Sequence, residues 1–313
     1  TLPRALRREA VRCASITPSC RAMTGARSRE GEDESGPQMP QKKHFRSRAH
    51  SNVLNANDFW FPARPQDVPW GEYFPQRASG ERVTFVDVGC GFGSLCLSLA
   101  KTFPSQLVLG IEIRPKLVEY VQKRALALRH EAAQATAADA ADAATYENVW
   151  ALHNNAMRFM PNFFEKGQLS KIFICFPDPH FKRKNHRKRI ISQPLLAEFG
   201  YTLSAGGHLY AITDVAELME WMVGHLTASP LFERLSRDEL RADPCVPLLI
   251  HTDEGQKVQR NNGNMYISVF RKRADPAAPR DEPPLLGNDV AAIAAADAGY
   301  APEAGGERRG MTW

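Results

Sequence analysis

The sequence predicts an α/β protein in which a parallel sheet is covered by helices on both faces. Three observations predict it. Short apolar runs alternate along the chain with helix-forming stretches. The runs are apolar almost throughout rather than at every second residue, as strands buried on both faces are. Glycine-rich and polar motifs follow the runs directly, where the carboxyl ends of parallel strands form ligand clefts.

The elements can be taken in order. VTFVDVG (83–89) is a strand that ends in glycines, and LCLSLAKTF (95–103) reads as a helix. LVLGIEI (107–113) is a second strand. PKLVEYVQKRALALR (115–129) is an amphipathic helix with proline at its first position, where no intrahelical donor is lost. VWALHN (149–154), KIFICF (171–176), GGHLYAIT (206–213) and MYISVF (265–270) supply four further strands.

The chain has 313 residues, of which 43% are hydrophobic and 24% charged, which suits a globular protein with a substantial core. No apolar run reaches the roughly 20 residues of a membrane helix. The polar, arginine-rich residues 1–40 and the Pro-, Ala- and Gly-rich residues 274–313 read as disordered, leaving one folded domain over 41–273. The alanine-rich stretch 132–145 reads as an insert that lengthens a helix or loop. Residues 1–27 carry six arginines and one acid, Glu9, as organelle transit peptides do; the alternative is an extension upstream of a start at Met23. The six cysteines (Cys13, Cys20, Cys90, Cys96, Cys175 and Cys245) form no C-x-x-C pair and no zinc spacing, so buried free thiols are expected.

DVGCGFG (87–93) joins the first strand to the first helix. Its glycines, Gly89 and Gly91 among them, allow a tight turn and the close approach of a ligand. A dinucleotide fingerprint needs glycine at position 94, where Ser94 stands, so a nicotinamide oxidoreductase is disfavoured. Glu112 ends the second strand, where a carboxylate accepts both hydroxyls of an adenosine ribose, although such an acid also suits solvent. Asn155 and Ala156 follow the third strand. Their amide and backbone N–H suit an adenine edge, and Asn155 also suits a plain turn.

The fourth strand runs into FPDPHFKRKNHRKR (176–189). Asp178 is fenced by Pro177 and Pro179, which restricts the backbone on both sides and suits a group that must hold a substrate. His180, Lys182, Arg183, Lys184, Arg187, Lys188 and Arg189 then supply the charge that binds a nucleic-acid backbone. Asp178 repels phosphate but accepts from the N–H donors on the Watson–Crick edge of guanine. The same run suits nuclear import, so the nucleus is the expected location, or an organelle if residues 1–27 act as a transit peptide.

Together DVGCGFG, GIEIRPKLVEYVQKR, NNAMRFMPNFF, FPDPHFKRKNHRKRI and TDEGQKVQRNNG resemble the tRNA (guanine-N7)-methyltransferase family over about 41–272, and QKKHFRSRAHSN (41–52) resembles its eukaryotic catalytic-subunit branch. The resemblance implies a class I S-adenosylmethionine-dependent methyltransferase fold, Rossmann-like, with seven strands, one antiparallel. It implies S-adenosylmethionine as methyl donor and a variable-loop guanosine of tRNA as acceptor. Gly89, Gly91, Glu112, Ile113, Arg114, Asn155, Ala156 and Cys175 would line the cofactor site, with Thr252, Asp253 and Glu254 closing it and Asp178 as the catalytic residue. It also implies a non-catalytic WD-repeat subunit as partner and no metal. Phe92 stands where the family often has tyrosine, and the alanine-rich insert departs from the family pattern.

Two other readings stay open at this level. An exocyclic-amine methyltransferase carries a D/N-P-P-aromatic motif at the same place, but this chain reads D-P-H-F. A nucleic-acid-binding scaffold would keep the core without chemistry, but the glycine loop, Glu112 and Asp178 are intact. WMVGHL (221–226) suits a partner face or, more simply, the core. Arg46, Arg48 and Ser51 have the R-x-R-x-x-S spacing of a basophilic kinase site, where a phosphate would oppose RNA binding.

Overall fold

The computed structural model describes residues 36–47, 53–54, 59–78, 80–135 and 144–274. Most of the arginine-rich extension, the centre of the alanine-rich insert, the tail after Ala274, the Ser51 motif, Cys13 and Cys20 lie outside these residues. A helical turn, α1 (Trp70–Tyr73), precedes the sheet. The strands are β1 (Val83–Val88), β2 (Leu107–Glu112), β3 (Val149–His153), β4 (Leu169–Cys175), β5 (Leu203–Thr213), β6 (Phe232–Arg234) and β7 (Tyr266–Lys272). They lie in the order β3-β2-β1-β4-β5-β7-β6, parallel except for β7, which runs antiparallel to both β5 and β6.

The six expected strands all form. Every residue of β2 is buried, as are all but one of β1, which is the consequence of helices on both faces. The short β6 has no counterpart in the sequence reading. It is three residues long, and only Phe232 is buried.

Helices α2 (Ser94–Thr102), α3 (Pro115–Gln134), α4 (Ala156–Phe163), α5 (Gln193–Thr202) and α6 (Ala216–Ala228) cover the sheet. Helix α3 runs on to Gln134, so the first residues of the alanine-rich stretch continue it. In α6, Met222 and Leu226 are buried, and Trp221 donates its indole N–H to the Ile191 carbonyl at 2.8 Å. The WMVGHL stretch therefore faces inward. Three shorter helices, α7 (Arg237–Ala242), α8 (Val246–Ile250) and α9 (Asp253–Arg260), lead back to the glycine loop. No helix among the described residues is long and apolar enough to cross a membrane. Among the described cysteines, Cys90, Cys96 and Cys245 are buried free thiols and Cys175 is half-buried.

A second, small core sits over one side of the glycine loop. Val118, Tyr120, Val121 and Ala151 pack there against Phe45 and Phe92. The Tyr120 ring meets Phe92 edge-on at 5.1 Å and Phe45 at 5.4 Å. The segment Lys42–His44 thus lies across the glycine loop, and Lys42 pairs with Asp253 at 2.7 Å while standing 5.1 Å over the Phe92 ring.

The chain order reverses between β1 and β4, so the connections from these neighbours leave in opposite directions and open a cleft at their carboxyl ends. A polar cluster ties β4 and β5 to the segment before α8. Tyr210 donates to Asp243 at 2.7 Å and accepts from Lys171 at 2.7 Å. The Cys245 N–H donates to the other oxygen of Asp243 at 2.8 Å, which fixes the start of α8. Burial works to raise the Asp243 carboxyl, but hydrogen bonds from His208, Tyr210 and the Cys245 N–H, with the Lys171 charge, hold it down at about 2. A carboxyl lowered in the folded state stabilises above its unfolded value and loses that contribution as pH falls through its folded value. Stability measured by urea unfolding should therefore drop as pH falls from about 4 towards 2, and Asp243→Asn should remove that part of the dependence. Tyr210→Phe, which strips the Asp243 oxygen of its buried donor, should cost about 1–3 kcal/mol at neutral pH.

Candidate active site

Two cavities open at the carboxyl ends of β1 and β4, and one wall separates them. The first, of about 170 Å³, runs over Glu112, Ile113, Asn155, Ala156 and Ile190. The second, of about 450 Å³, runs over Asp87, Phe92, Ser94, Thr252, Asp253 and Glu254. Gly89, Arg114, Cys175, Phe176, Pro177 and Asp178 belong to both. Each residue expected in the cofactor or catalytic set lines at least one cavity.

The glycine loop shapes the floor. Gly89 has φ +77° and Gly91 φ +55°, and a Cβ at either would point into open space. The requirement at these positions is backbone conformation, which L side chains rarely adopt. The Gly89 N–H donates to the Ile111 carbonyl at 2.7 Å and ties the loop to β2.

Glu112 is 2% exposed and fully engaged. Its Oε2 accepts from the Gly91 N–H at 3.0 Å and from Arg114 Nη2 at 3.0 Å. Its Oε1 accepts from the Arg114 N–H at 2.9 Å and from Arg114 Nε at 3.0 Å. Extended backbone puts residues two apart on the same side, which is why Arg114 folds back onto Glu112. Burial opposes the Arg114 charge, but the Glu112 hydrogen bonds, with the Glu112 and Asp178 charges, hold its pKa above the ordinary guanidinium value.

Asn155 lines the first cavity, and part of its amide is engaged by the chain. Its side chain caps α4 by accepting from the Met157 N–H at 3.0 Å, and its amide donates one N–H to the Val53 carbonyl at 2.7 Å. The N–H of Ala156, at the helix start, keeps the geometry of an orphan helix donor.

Asp178 sits on a turn strained at both ends. Phe176 has φ +49° and His180 φ +46°, left-handed conformations that side chains other than glycine seldom take. Hydrogen bonds from outside the turn help to hold it. The Phe176 N–H donates to the Ile212 carbonyl at 2.8 Å, and Arg189 Nε donates to the Pro179 carbonyl at 2.9 Å.

Arg189 is the clearest correction to the sequence reading, which placed it on nucleic acid. It is 2% exposed, pairs with Glu217 at 3.0 Å and stands 4.7 Å over the Trp221 ring. The other basic residues differ. Lys182, Arg183, Lys184 and Arg187 are exposed on a 3-10 turn (Arg183–Lys188), while His180 and Lys188 line the first cavity. Phe181, between them and Asp178, is 64% exposed.

The sequence reading missed Asp87. It is 2% exposed, accepts from the Cys96 thiol at 3.4 Å, and its Oδ1 has no hydrogen-bond partner among the described residues. Asp253 Oδ2 is also buried without a partner among them. Asp87 and Asp253 both line the second cavity, and carboxylates there match a donor-rich cation such as an amino-acid ammonium group. The signal was available, since Asp87 is the last acid before the glycines.

Removing the buried guanidinium should differ from removing an exposed one. Arg189→Ala should cost about 1.5–3 kcal/mol of stability, as a lost buried charged hydrogen bond does, and should disorder the Asp178 turn. Arg183→Ala should leave stability within about 0.5 kcal/mol. Thermal melts check both.

The comparisons with known proteins agree with this geometry. Residues 81–268 match a family described as putative methyltransferase. The chain is 47% identical over 239 residues to a tRNA (guanine-N(7)-)-methyltransferase of Yarrowia lipolytica, covering 76% of this chain and 79% of that one. It is 47% identical over 245 residues to the protein of that name from Caenorhabditis elegans, covering 78% and 93%. Among solved structures, the 16S rRNA methyltransferase KamB is 16% identical with a TM-score of 0.41, covering 65% of this chain and 93% of that one. A buried acid before an open glycine loop, a carboxylate ending β2, a Pro-Asp-Pro turn ending β4 and these relatives lead to one conclusion: the chain belongs to the tRNA (guanine-N7)-methyltransferase family of S-adenosylmethionine-dependent enzymes.

Proposed function

We propose that this chain transfers a methyl group from S-adenosylmethionine to N7 of a variable-loop guanosine in tRNA. One observation carries the reading. The wall shared by the two cavities bears Asp178, and the turn that leaves it carries the exposed cations Lys182, Arg183, Lys184 and Arg187. A polyanion drawn to those cations meets a carboxylate suited to a guanine edge.

The residues fit the cofactor. The glycine loop leaves room for it, and Asp87 and Asp253 bring carboxylates to the wall of that cavity. Bound S-adenosylmethionine supplies a methyl group already activated by its sulfonium. Guanine N7 has an in-plane lone pair and no proton, so the chain needs no general base. Asp178 holds the guanine edge, and its charge favours the cationic purine that methylation produces. The strained turn and its Arg189 clamp fix the Asp178 position, so positioning supplies much of the effect.

The likeness of residues 41–52 to the eukaryotic branch supports a WD-repeat partner, and the basic turn supports a nuclear location. A native complex purified without any such subunit would contradict the first. A tagged chain excluded from nuclei would contradict the second.

Asp178→Ala should lower methyl transfer to tRNA by about 10²–10³-fold while cofactor affinity changes little; unchanged transfer would remove Asp178 from the site. Asp87 sets a pH dependence. Burial pushes its carboxyl up to about 7; the Cys96 hydrogen bond opposes this and the Glu112 charge adds to it. An ammonium group beside Asp87 favours the carboxylate, so cofactor binding near pH 6 should release a proton and weaken as pH falls below about 7. Calorimetry in two buffers of different ionisation heat reads the proton directly, and Asp87→Asn should abolish it.

A further inference from the structure

The Glu112 carboxylate offers about four acceptor positions, and this chain fills all four. Two belong to backbone N–H groups, of Gly91 and Arg114. The other two are taken by the Arg114 guanidinium, through Nε and Nη2 at 3.0 Å each. A ribose presents two hydroxyl donors, so Glu112 can receive it only where the guanidinium now sits. The backbone bonds stay, because they belong to the glycine loop and to the start of α3.

A guanidinium that leaves Glu112 has little distance to go. Arg114 lines both cavities and its side chain is 26% exposed. The wall it shares carries Asp178, whose charge already acts on it. Lys188 and His180 line the same first cavity, and the exposed cations of the 183–188 turn continue from there. The released charge would join the basic surface at the point where RNA must come closest to the reacting atoms.

We propose that Arg114 couples the two substrates: it holds Glu112 until the cofactor's ribose takes its place, and its guanidinium then completes the cation set that binds RNA. Cofactor binding thus strengthens RNA binding, and by linkage RNA strengthens cofactor binding by the same factor. The inference rests on the methyltransferase reading and adds an order to it, since the RNA site is complete only in the loaded enzyme. The exchange keeps the acceptor positions of the buried carboxylate filled, by guanidinium N–H groups before and ribose O–H groups after.

The test is tRNA binding by the full chain, alone and with the WD-repeat subunit, with and without saturating S-adenosylhomocysteine. Calorimetry of S-adenosylhomocysteine binding without RNA accompanies it. The wild type should bind tRNA more tightly in the presence of S-adenosylhomocysteine, by a factor within the about 5–150-fold range of coupled sites. Arg114→Met should show no such gain. If melting shows that this variant does not fold, Arg114→Lys decides. Lysine keeps the charge but not the two-point grip on Glu112. It should therefore bind tRNA more tightly than the wild type without S-adenosylhomocysteine and gain less from it. Equal tRNA affinity in both wild-type arms overturns the proposal, as does an unchanged gain in either folded variant. A folded Arg114→Met that loses S-adenosylhomocysteine binding also overturns it, because Arg114 would then be a fixed cofactor ligand. A wild type that binds neither S-adenosylhomocysteine nor tRNA sinks the methyltransferase reading itself. Binding of both without coupling sinks only the inference.

Discussion

The reaction end of this molecule depends on one buried guanidinium. Arg189 donates to the carbonyl of Pro179, and that bond holds a turn whose ends, Phe176 and His180, are both left-handed. Backbone in that region costs of order 1–3 kcal/mol per residue and persists only when its surroundings enforce it. Glu217 and the Trp221 ring hold Arg189 in turn, and the Trp221 indole is fixed on Ile191. A chain of contacts thus runs from helix α6 to the carboxylate of Asp178. Together with the Phe176 N–H on the Ile212 carbonyl, it keeps the shape of the Pro-Asp-Pro turn.

The two cavities divide the work that the turn makes possible. On one side the glycine loop, Asp87 and Asp253 offer space and acceptors. On the other, Ile113, Ala156 and Ile190 line the first cavity beside Glu112. Segments remote in sequence close the cleft. Lys42 crosses to Asp253, the Asp253 N–H donates to the Ser94 hydroxyl at 3.1 Å, and Thr252 caps α9 by accepting from the Gly255 N–H at 3.1 Å. The polar cluster on Lys171 of β4 and Tyr210 of β5 anchors the start of α8, which leads directly into this closing segment.

Much of the fold was legible because burial on both faces writes continuous apolar runs, as in VTFVDV and LVLGIE. β6 was not, since three residues with one buried phenylalanine leave no pattern. In the site, the glycine loop and the fenced Asp178 were legible from backbone chemistry alone. The fate of Arg189 was not. In the sequence it is the last of several identical charges, and only the turn at 183–188 sends it inward. The Asn155 amide is hidden for a similar reason, because its partner, Val53, is 102 residues away in the chain. The engagement of Glu112 by Arg114 follows from extended backbone, but choosing that pairing over solvent for a lone arginine needs the three-dimensional surroundings.

In the proposed reaction Asp178 presents guanine so that N7, and no other atom, meets the methyl donor. The most direct measurement is the position of the transferred methyl. Bulk tRNA would be incubated with the chain and tritiated S-adenosylmethionine, then cleaved chemically at N7-methylguanosine. Label at a single cleavage site in the variable loop is the predicted result. Label on an exocyclic amine, with no cleavage at that site, would contradict the account.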